Sequence, residues 1–220
     1  MTDYELMLSR HSVRSYLDKP IEEEKVRALR EKTEEVNRKS GLHIALFTEE
    51  PKCFKVSEPG YGIFKNCKNY FAMVGPSDAD EKIGYYGEEL VLFAQSLGLN
   101  TCWAAMSYKK GGVDIKPAKG EKLHIVIALG YGETQGHERK SKSISEVSNA
   151  VDSSPEWFIN GVKAALTAPT AINQQRFRLK LEGDKVSAKA GLFVYTKLDL
   201  GIVKYHFELG AGKENFEWAD

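Results

Sequence analysis

Residues 124–132, His-Ile-Val-Ile-Ala-Leu-Gly-Tyr-Gly, form an apolar, β-branched run. Runs of this kind occur in central strands, so this one predicts a sheet built around it. Tyr70-Phe71-Ala72-Met73-Val74 reads as a second buried strand, ended by Gly75-Pro76. Leu42–Phe47 reads as a third, and Thr101–Ala105 as a short extended segment.

Helical signals alternate with these strands. Pro20 followed by Ile21 and three glutamates starts a helix, because acids suit the positive end of the helix dipole. It is expected to run to about Asn37, with Ser40-Gly41 as its stop. Ile83–Leu97 places Leu90, Val91, Ala94 and Leu97 on one helical face. Gly98 then supplies a left-handed cap, with Leu99 as its hydrophobic partner. Ser153-Ser154-Pro155-Glu156 starts another helix, expected through Trp157, Val162 and Leu166 to about Ala168, where Pro169 breaks it.

The remaining segments are shorter. Leu179–Leu181 and Lys185–Ala188 predict a hairpin around Gly183-Asp184. Leu192–Thr196 reads as a further strand. Asp199 is expected to cap a last helix carrying Ile202, His206 and Leu209. Phe216 and Trp218 suggest that the tail, 212–220, docks on the body. Residues 49–67 read as a loop holding Tyr61 and Phe64, and 136–148 as a polar surface crossing. The pattern is α+β. Helix–strand order recurs near 22–47 and 154–181, and helices ending at Leu-Gly recur at 85–98 and 199–210. An imperfect internal duplication accounts for this, as does the ordinary recurrence of elements in an α+β domain. We therefore expect one domain, 1–220, with pseudo-halves of about 1–149 and 150–220.

Charge narrows the function. Lys+Arg and Asp+Glu are both 31, giving a net charge of zero. That balance argues against whole-surface attraction to nucleic acid or to an acidic membrane. A basic site has to be a local cluster, and two exist: Arg10/Arg14 and Arg139/Lys140/Lys142. The three cysteines, Cys53, Cys67 and Cys102, are odd in number and form no Cys-x-x-Cys pair. They argue against a disulfide scaffold or structural zinc and for a reducing compartment. The first residues carry no basic stretch followed by an apolar one, and runs such as Ile125–Leu129 are too short to span a bilayer. The expectation is a soluble cytoplasmic protein without a metal.

Three stretches carry chemistry. In Arg10-His11-Ser12-Val13-Arg14-Ser15-Tyr16, two guanidinium groups and a hydroxyl suit a phosphate and a second group further along the same ligand. Taken alone, the string is as well explained by a solvated turn. In Ala168-Pro169-Thr170-Ala171-Ile172-Asn173-Gln174-Gln175, short polar side chains allow a backbone to approach a flat ligand. Taken alone, it is a helix end with turn residues. In Leu97-Gly98-Leu99-Asn100-Thr101-Cys102-Trp103, the segment after the helix can offer backbone N–H groups.

Together these stretches resemble the nitroreductase family of FMN-dependent oxidoreductases. Arg10, Ser12, Arg14 and Tyr16 match that family's Arg-x-Ser-x-Arg-x-(Phe/Tyr) motif. Ala168-Pro169-Thr170-Ala171-x-Asn173-x-Gln175 matches its Ala-Pro-Ser-Ala-x-Asn-x-Gln motif. Leu97-Gly98-Leu99-x-Thr101-Cys102-Trp103 matches its Leu-Gly-Leu-Gly-Thr-x-Trp segment, and Ala128–Tyr131 followed by Arg139-Lys140 its last strand and basic tail. One departure is large: the Ala-Pro motif lies far beyond the first helix, in the manner of a nitroreductase branch with a permuted or duplicated layout.

The resemblance implies a mixed β-sheet core flanked by helices. It also implies one FMN shared by two halves of the chain, as a monomeric pseudo-dimer or a homodimer. Arg10 and Ser12 are then expected at phosphate and ribityl, with Arg139 and Lys140 adding charge at the phosphate; His11 either touches the phosphate or is simply a packed or solvated side chain. Arg14 faces the pyrimidine edge of the ring, while Cys102, Trp103, Pro169, Thr170, Ala171, Asn173 and Gln175 complete the cofactor set. The implied reaction passes hydride from NADH or NADPH through FMN to a small acceptor such as a nitroaromatic or quinone. This ping-pong scheme needs no protein nucleophile. Dehalogenation, flavin breakdown and a non-catalytic FMN-binding module are the alternatives on the same fold. No Gly-x-Gly-x-x-Gly follows a strand, so a separate Rossmann domain is not expected.

Overall fold

The computed structural model describes residues 2–54, 63–137 and 139–219. It divides into two compact units whose segments interleave along the chain. A sheet unit comprises 10–79 and 89–138, and a helical unit comprises 1–9, 80–88 and 139–220.

In the sheet unit, β1 (Ala45–Phe47), β2 (Asn69–Pro76), β4 (Glu121–Gly130) and β3 (Asn100–Ala104) form an antiparallel sheet in the order β1-β2-β4-β3. The apolar run at 124–132 supplies a central strand of it: Phe71 faces Ile127 on one side and Thr101 faces Leu129 on the other. Tyr70–Val74 and Ile125–Leu129 are buried throughout, as strands covered on both faces must be. Cys53, Cys67 and Cys102 lie in this core beside Tyr16, Phe54, Phe64 and Tyr70. Burial pushes the Cys53 and Cys67 thiols up to about 12, so neither is a thiolate at neutral pH. Phe64 is thus a core residue, whereas Tyr61 lies outside the described residues.

Helix α2 (Glu23–Ser40) buries Leu29, Thr33, Val36 and Ser40, one stripe at helical spacing. It closes on Gly41 at φ +69, whose N–H donates to Asn37 O at 2.8 Å. The strand expected from Leu42 begins only at Ala45. Asn37 occupies both backbone groups of Ile44, accepting its N–H at 2.8 Å and donating to its carbonyl at 2.8 Å. Helix α3 (Asp80–Ser96) contributes 80–88 to the helical unit and 89–96 to the sheet unit. Its end is a complete left-handed cap: Gly98 sits at φ +76, its N–H donates to Gln95 O, and Leu99 N–H donates to Ala94 O.

The helical unit holds α1 (Asp3–Ser9), α4 (Ile144–Val147), α5 (Glu156–Ala165), α6 (Thr196–Ala211) and a second sheet. In that sheet β5 (Phe177–Glu182) and β6 (Lys185–Ala190) make the expected hairpin around Gly183-Asp184. A short β7 (Glu217–Trp218) joins β6 in parallel, which makes this sheet mixed. The tail therefore docks: Phe216 stacks on Trp157 at 5.8 Å and meets Phe207 edge-on at 5.1 Å. The start of α3 and α6 touch through backbone. A Cβ on Gly84 would lie 1.9 Å from Leu198 O, and one on Gly201 1.8 Å from Glu81 O. No side chain fits at either glycine without parting the helices.

Two expectations in this unit fail. Leu192–Thr196 is not a strand: Leu192–Tyr195 form a bend, exposed at Leu192–Val194, and Thr196 is already the buried first residue of α6. The carbonyls of the bend are taken by side chains of Arg176, Thr196 and Gln174, and Tyr195 turns at φ +62, so no ladder can form. Asp199 is not the cap of α6. The helix starts three residues earlier, at Thr196, and the Asp199 carboxylate reaches out of the first turn to a neighbouring loop. No described helix is long and apolar enough to cross a membrane.

Candidate functional site

The Arg10–Tyr16 segment is held by its backbone. Val13 N–H donates to Thr101 O at 3.1 Å, Lys65 N–H to Arg14 O at 2.9 Å, and Tyr16 N–H to Lys65 O at 3.0 Å. Ser12 lies opposite Thr101, and Tyr16 opposite Gly132. Val13 and Tyr16 turn into the core, and the Tyr16 hydroxyl donates to Val13 O at 2.7 Å. Gly130 makes room for the Tyr16 ring, since a Cβ there would lie 2.9 Å from it. Ser12 and Arg14 face outward, while Arg10 is buried at 5% exposure. His11 is half-buried and packs against Gly136, where a Cβ would come within 2.4 Å of its own.

Cys102 and Trp103 sit on β3 beside this segment. Burial raises the Cys102 thiol, and the Arg14 charge, the Ser12 hydroxyl and the Arg10 charge nearby oppose that rise. The sheet unit therefore gathers Arg10, Ser12, Arg14 and Cys102 into one positively charged neighbourhood, with Trp103 half-buried next to it.

The loop after α5 is built differently. Thr170 is extended; Ile172, Asn173 and Gln175 then adopt φ of +48, +56 and +43. Three left-handed non-glycine residues in four positions are strained, at about 1–3 kcal/mol each, and persist only when their surroundings over-determine them. Here two buried side chains do so. Gln175, 2% exposed, accepts Lys142 N–H at 2.8 Å and donates to Ser141 Oγ and Leu166 O, both at 3.1 Å. Its own N–H donates to Thr170 Oγ1 at 3.0 Å. Asp199, 4% exposed, accepts Ala171 N–H at 3.0 Å and the Gln174 amide at 2.7 Å. Burial raises Asp199 to about 6, and those two donors hold it back from going further.

Other expected residues fall on the same loop or its support. Pro169 follows the buried end of α5. Arg139 donates to Leu166 O at 3.2 Å and to Thr167 O, so its guanidinium caps the carbonyl end of α5. Lys140 is exposed, and its carbonyl accepts the Asn173 amide at 2.7 Å. Beneath them His206, fully buried, bridges Glu88 Oε1 at 2.9 Å and Thr167 Oγ1 at 2.8 Å. Among the described residues, two buried acceptors at this loop have no hydrogen-bond partner: Asn173 Oδ1 and Gln174 Oε1.

The residues that sequence reasoning missed are those that brace the loop from afar. Asp199, Ser141 and His206 lie 25 to 39 positions from their partners Gln174, Gln175 and Thr167. The one signal available was an aspartate beside a helix start, which reads equally well as a cap. A hollow of about 970 Å³ runs along α2, lined in part by Glu24, Arg27, Arg30, Thr48 and Asn69, and none of the expected site residues lines it.

A family model described as "Putative TM nitroreductase" matches residues 3–211. A "putative nitroreductase" from Thermotoga maritima MSB8 superposes with a TM-score of 0.68 at 22% identity, covering 97% of this chain and 85% of that one. A "putative nitroreductase in complex with FMN" from Desulfovibrio desulfuricans superposes with a TM-score of 0.51 at 18% identity, covering 66% of this chain and 93% of that one. No curated protein matches the sequence. The α+β architecture, with helices about an antiparallel and a mixed sheet, is that of the nitroreductase fold. With the family model spanning nearly its whole length, the chain belongs to the nitroreductase family, in the branch described as "Putative TM nitroreductase".

Proposed function

We propose that this protein is an FMN-dependent oxidoreductase that takes hydride from NADH or NADPH and passes it to a small acceptor such as a nitroaromatic or a quinone. Family membership supports the redox class, and the FMN complex of the Desulfovibrio relative supports the cofactor. The observation that carries the reading is the strained loop whose buried Asn173 Oδ1 and Gln174 Oε1 are acceptors without donors. An unsatisfied buried acceptor costs about 1–3 kcal/mol, so such a pair calls for a ligand rich in N–H and O–H groups. The ring imide and ribityl hydroxyls of FMN are such groups, and the residues present fit the cofactor on this count.

The protein's own residues then divide the work. Arg10 and Ser12 hold phosphate and ribityl, because a guanidinium and a hydroxyl supply charge-assisted donors to them. Arg14, whose guanidinium is exposed, would meet the pyrimidine edge of the ring, where a fixed cation would favour the reduced state. Thr170 and Asn173 meet the ring or ribityl, while Gln175 and Asp199 act by holding the loop in place. Arg139 and Lys140 add positive charge beside the loop. FMN supplies the hydride acceptor and donor. We further propose that one chain serves one FMN, so that the protein works as a monomer.

The visible absorption spectrum of the purified protein tests this. The expected result is the two bands of oxidised flavin, bleached by NADH or NADPH under anaerobic conditions. A colourless protein that takes up no added FMN overturns the cofactor, and a yellow protein that no nicotinamide bleaches reduces it to a binding module. An obligate dimer with two flavins at its interface overturns the monomer.

A further inference from the structure

The bend between β6 and α6 exposes three consecutive apolar side chains: Leu192 at 94%, Phe193 at 54% and Val194 at 58%. Exposed runs of this length work against folding unless they serve a function. The bend is not a loose loop. Its carbonyls point inward, with Leu192 O accepting Arg176 Nη1 at 3.0 Å, Phe193 O accepting Thr196 Oγ1 at 3.0 Å, and Val194 O accepting Gln174 Nε2 at 3.1 Å. Gly191 N–H donates to Arg176 O at 2.8 Å. With the polar backbone tied inward, the side chains are held outward as a firm strap. Gln174 links that strap to the cofactor loop, whose Ile172 is also exposed, at 68%.

A charge accompanies the apolar strap. The Arg176 guanidinium lies 4.8 Å from the centroid of the Phe193 ring, and among the described residues it has no carboxylate partner. One Nη donates to Leu192 O, which leaves its other N–H groups for an outside acceptor. An aromatic face next to an unneutralised planar cation complements a flat ring that carries an anion.

We propose that Leu192, Phe193 and Arg176 select the acceptor: the strap takes the ring of a flat aromatic acceptor on Phe193 and Leu192, and Arg176 takes a carboxylate or similar anion on that ring. The proposal rests on the FMN reading, because it is the loop bonded to the strap that is assigned to the cofactor. It predicts a preference for anionic over neutral aromatics.

The test measures binding without turnover. Equilibrium dialysis of 4-nitrobenzoate and of nitrobenzene against the oxidised holoprotein, with no nicotinamide present, compares wild type with Arg176→Met, Arg176→Lys and Phe193→Ala. Wild type is expected to bind nitrobenzoate the more tightly. Arg176→Met is expected to lose about tenfold for nitrobenzoate and less than twofold for nitrobenzene, as for one charge-assisted contact. Arg176→Lys is expected to recover part of that loss, and Phe193→Ala to weaken both ligands about fivefold, in line with one aromatic contact. Equal losses for both ligands in Arg176→Met, or none, overturn the assignment. So does a molar mass that halves in Phe193→Ala while nitrobenzoate binding is unchanged, which gives the strap to a second copy of the chain. Flavin content is read from the same samples: wild type without flavin sinks the FMN reading, whereas full flavin content with unaltered nitrobenzoate binding sinks only this proposal.

Discussion

The Arg10–Tyr16 segment and the Thr170–Gln175 loop are both proposed to meet the cofactor, yet they are held in opposite ways. The first is fixed by backbone pairing with Thr101 and Lys65. Of its functional side chains, Ser12 and Arg14 project outward and carry little of the fold, whereas Arg10 is buried. The second is fixed by side chains, the Gln175 amide and the Asp199 carboxylate, and its backbone is strained at Ile172, Asn173 and Gln175. A backbone-held segment should tolerate loss of its outward side chains, Ser12 and Arg14, and lose only binding. A side-chain-held loop should lose shape and binding together.

Gln175→Ala is the severest test of that difference. It removes three side-chain hydrogen bonds and leaves Lys142 N–H without its acceptor. At about 1 kcal/mol per bond we expect roughly 3 kcal/mol lost. That corresponds to a thermal midpoint lower by roughly 6–12 °C in a chain of this size. FMN affinity should fall with it, by more than about tenfold. Differential scanning calorimetry with a flavin fluorescence titration reads both.

Arg14→Ala should separate the two quantities. Loss of a charged donor costs about 1.5–2 kcal/mol of FMN binding, or about 10- to 30-fold. As an outward side chain it should leave the thermal midpoint within about 2 °C, as exposed substitutions usually do. If Arg14→Ala melts as early as Gln175→Ala, the contrast between the two regions is lost.

Asp199→Asn sharpens the loop's side of the comparison through pH. The carboxyl titrates near 6 in the folded protein, above its ordinary value of 3.8. The folded state therefore favours the protonated form. That stabilisation is complete below about 4 and is lost as the pH rises through 6, a change of at most about 3 kcal/mol. The Gln174 bond has the opposite dependence, because an ionised Asp199 is its better acceptor. FMN affinity is thus expected to weaken as the pH falls from 7 to 5, while the fold gains stability. In Asp199→Asn both slopes should vanish over that range, which paired thermal melts and titrations at pH 5, 6 and 7 will read. Ser12→Ala is the mildest change: about fivefold in FMN affinity for one neutral hydrogen bond, with no change in melting.

How much of this was legible in the sequence follows the same division. Local signals were reliable. The Gly98 cap, the Gly183-Asp184 hairpin and the central strand through Ile127 each follow from a few adjacent residues, and each is present. Arrangements that depend on side chains meeting across long sequence separations were not legible. Leu192–Val194 looks like a strand because its apolar residues are contiguous. Nothing local reveals that Arg176 and Gln174 take its carbonyls. Asp199 reads as a cap because it lies near a helix start, although its bonds go to Ala171 and Gln174. The motif Ala168–Gln175 was visible as a motif, whereas the strain that makes its orphan acceptors stand out appears only in three dimensions.

The central claim is that this chain holds FMN through a charged segment and a braced loop. Titration of FMN into flavin-free protein, followed by quenching of flavin fluorescence with the molar mass measured by light scattering, tests it most directly. The account predicts saturation at one FMN per monomeric chain, with affinity reduced in both Arg14→Ala and Gln175→Ala. Absence of saturable binding, or binding that both variants leave unchanged, would contradict it.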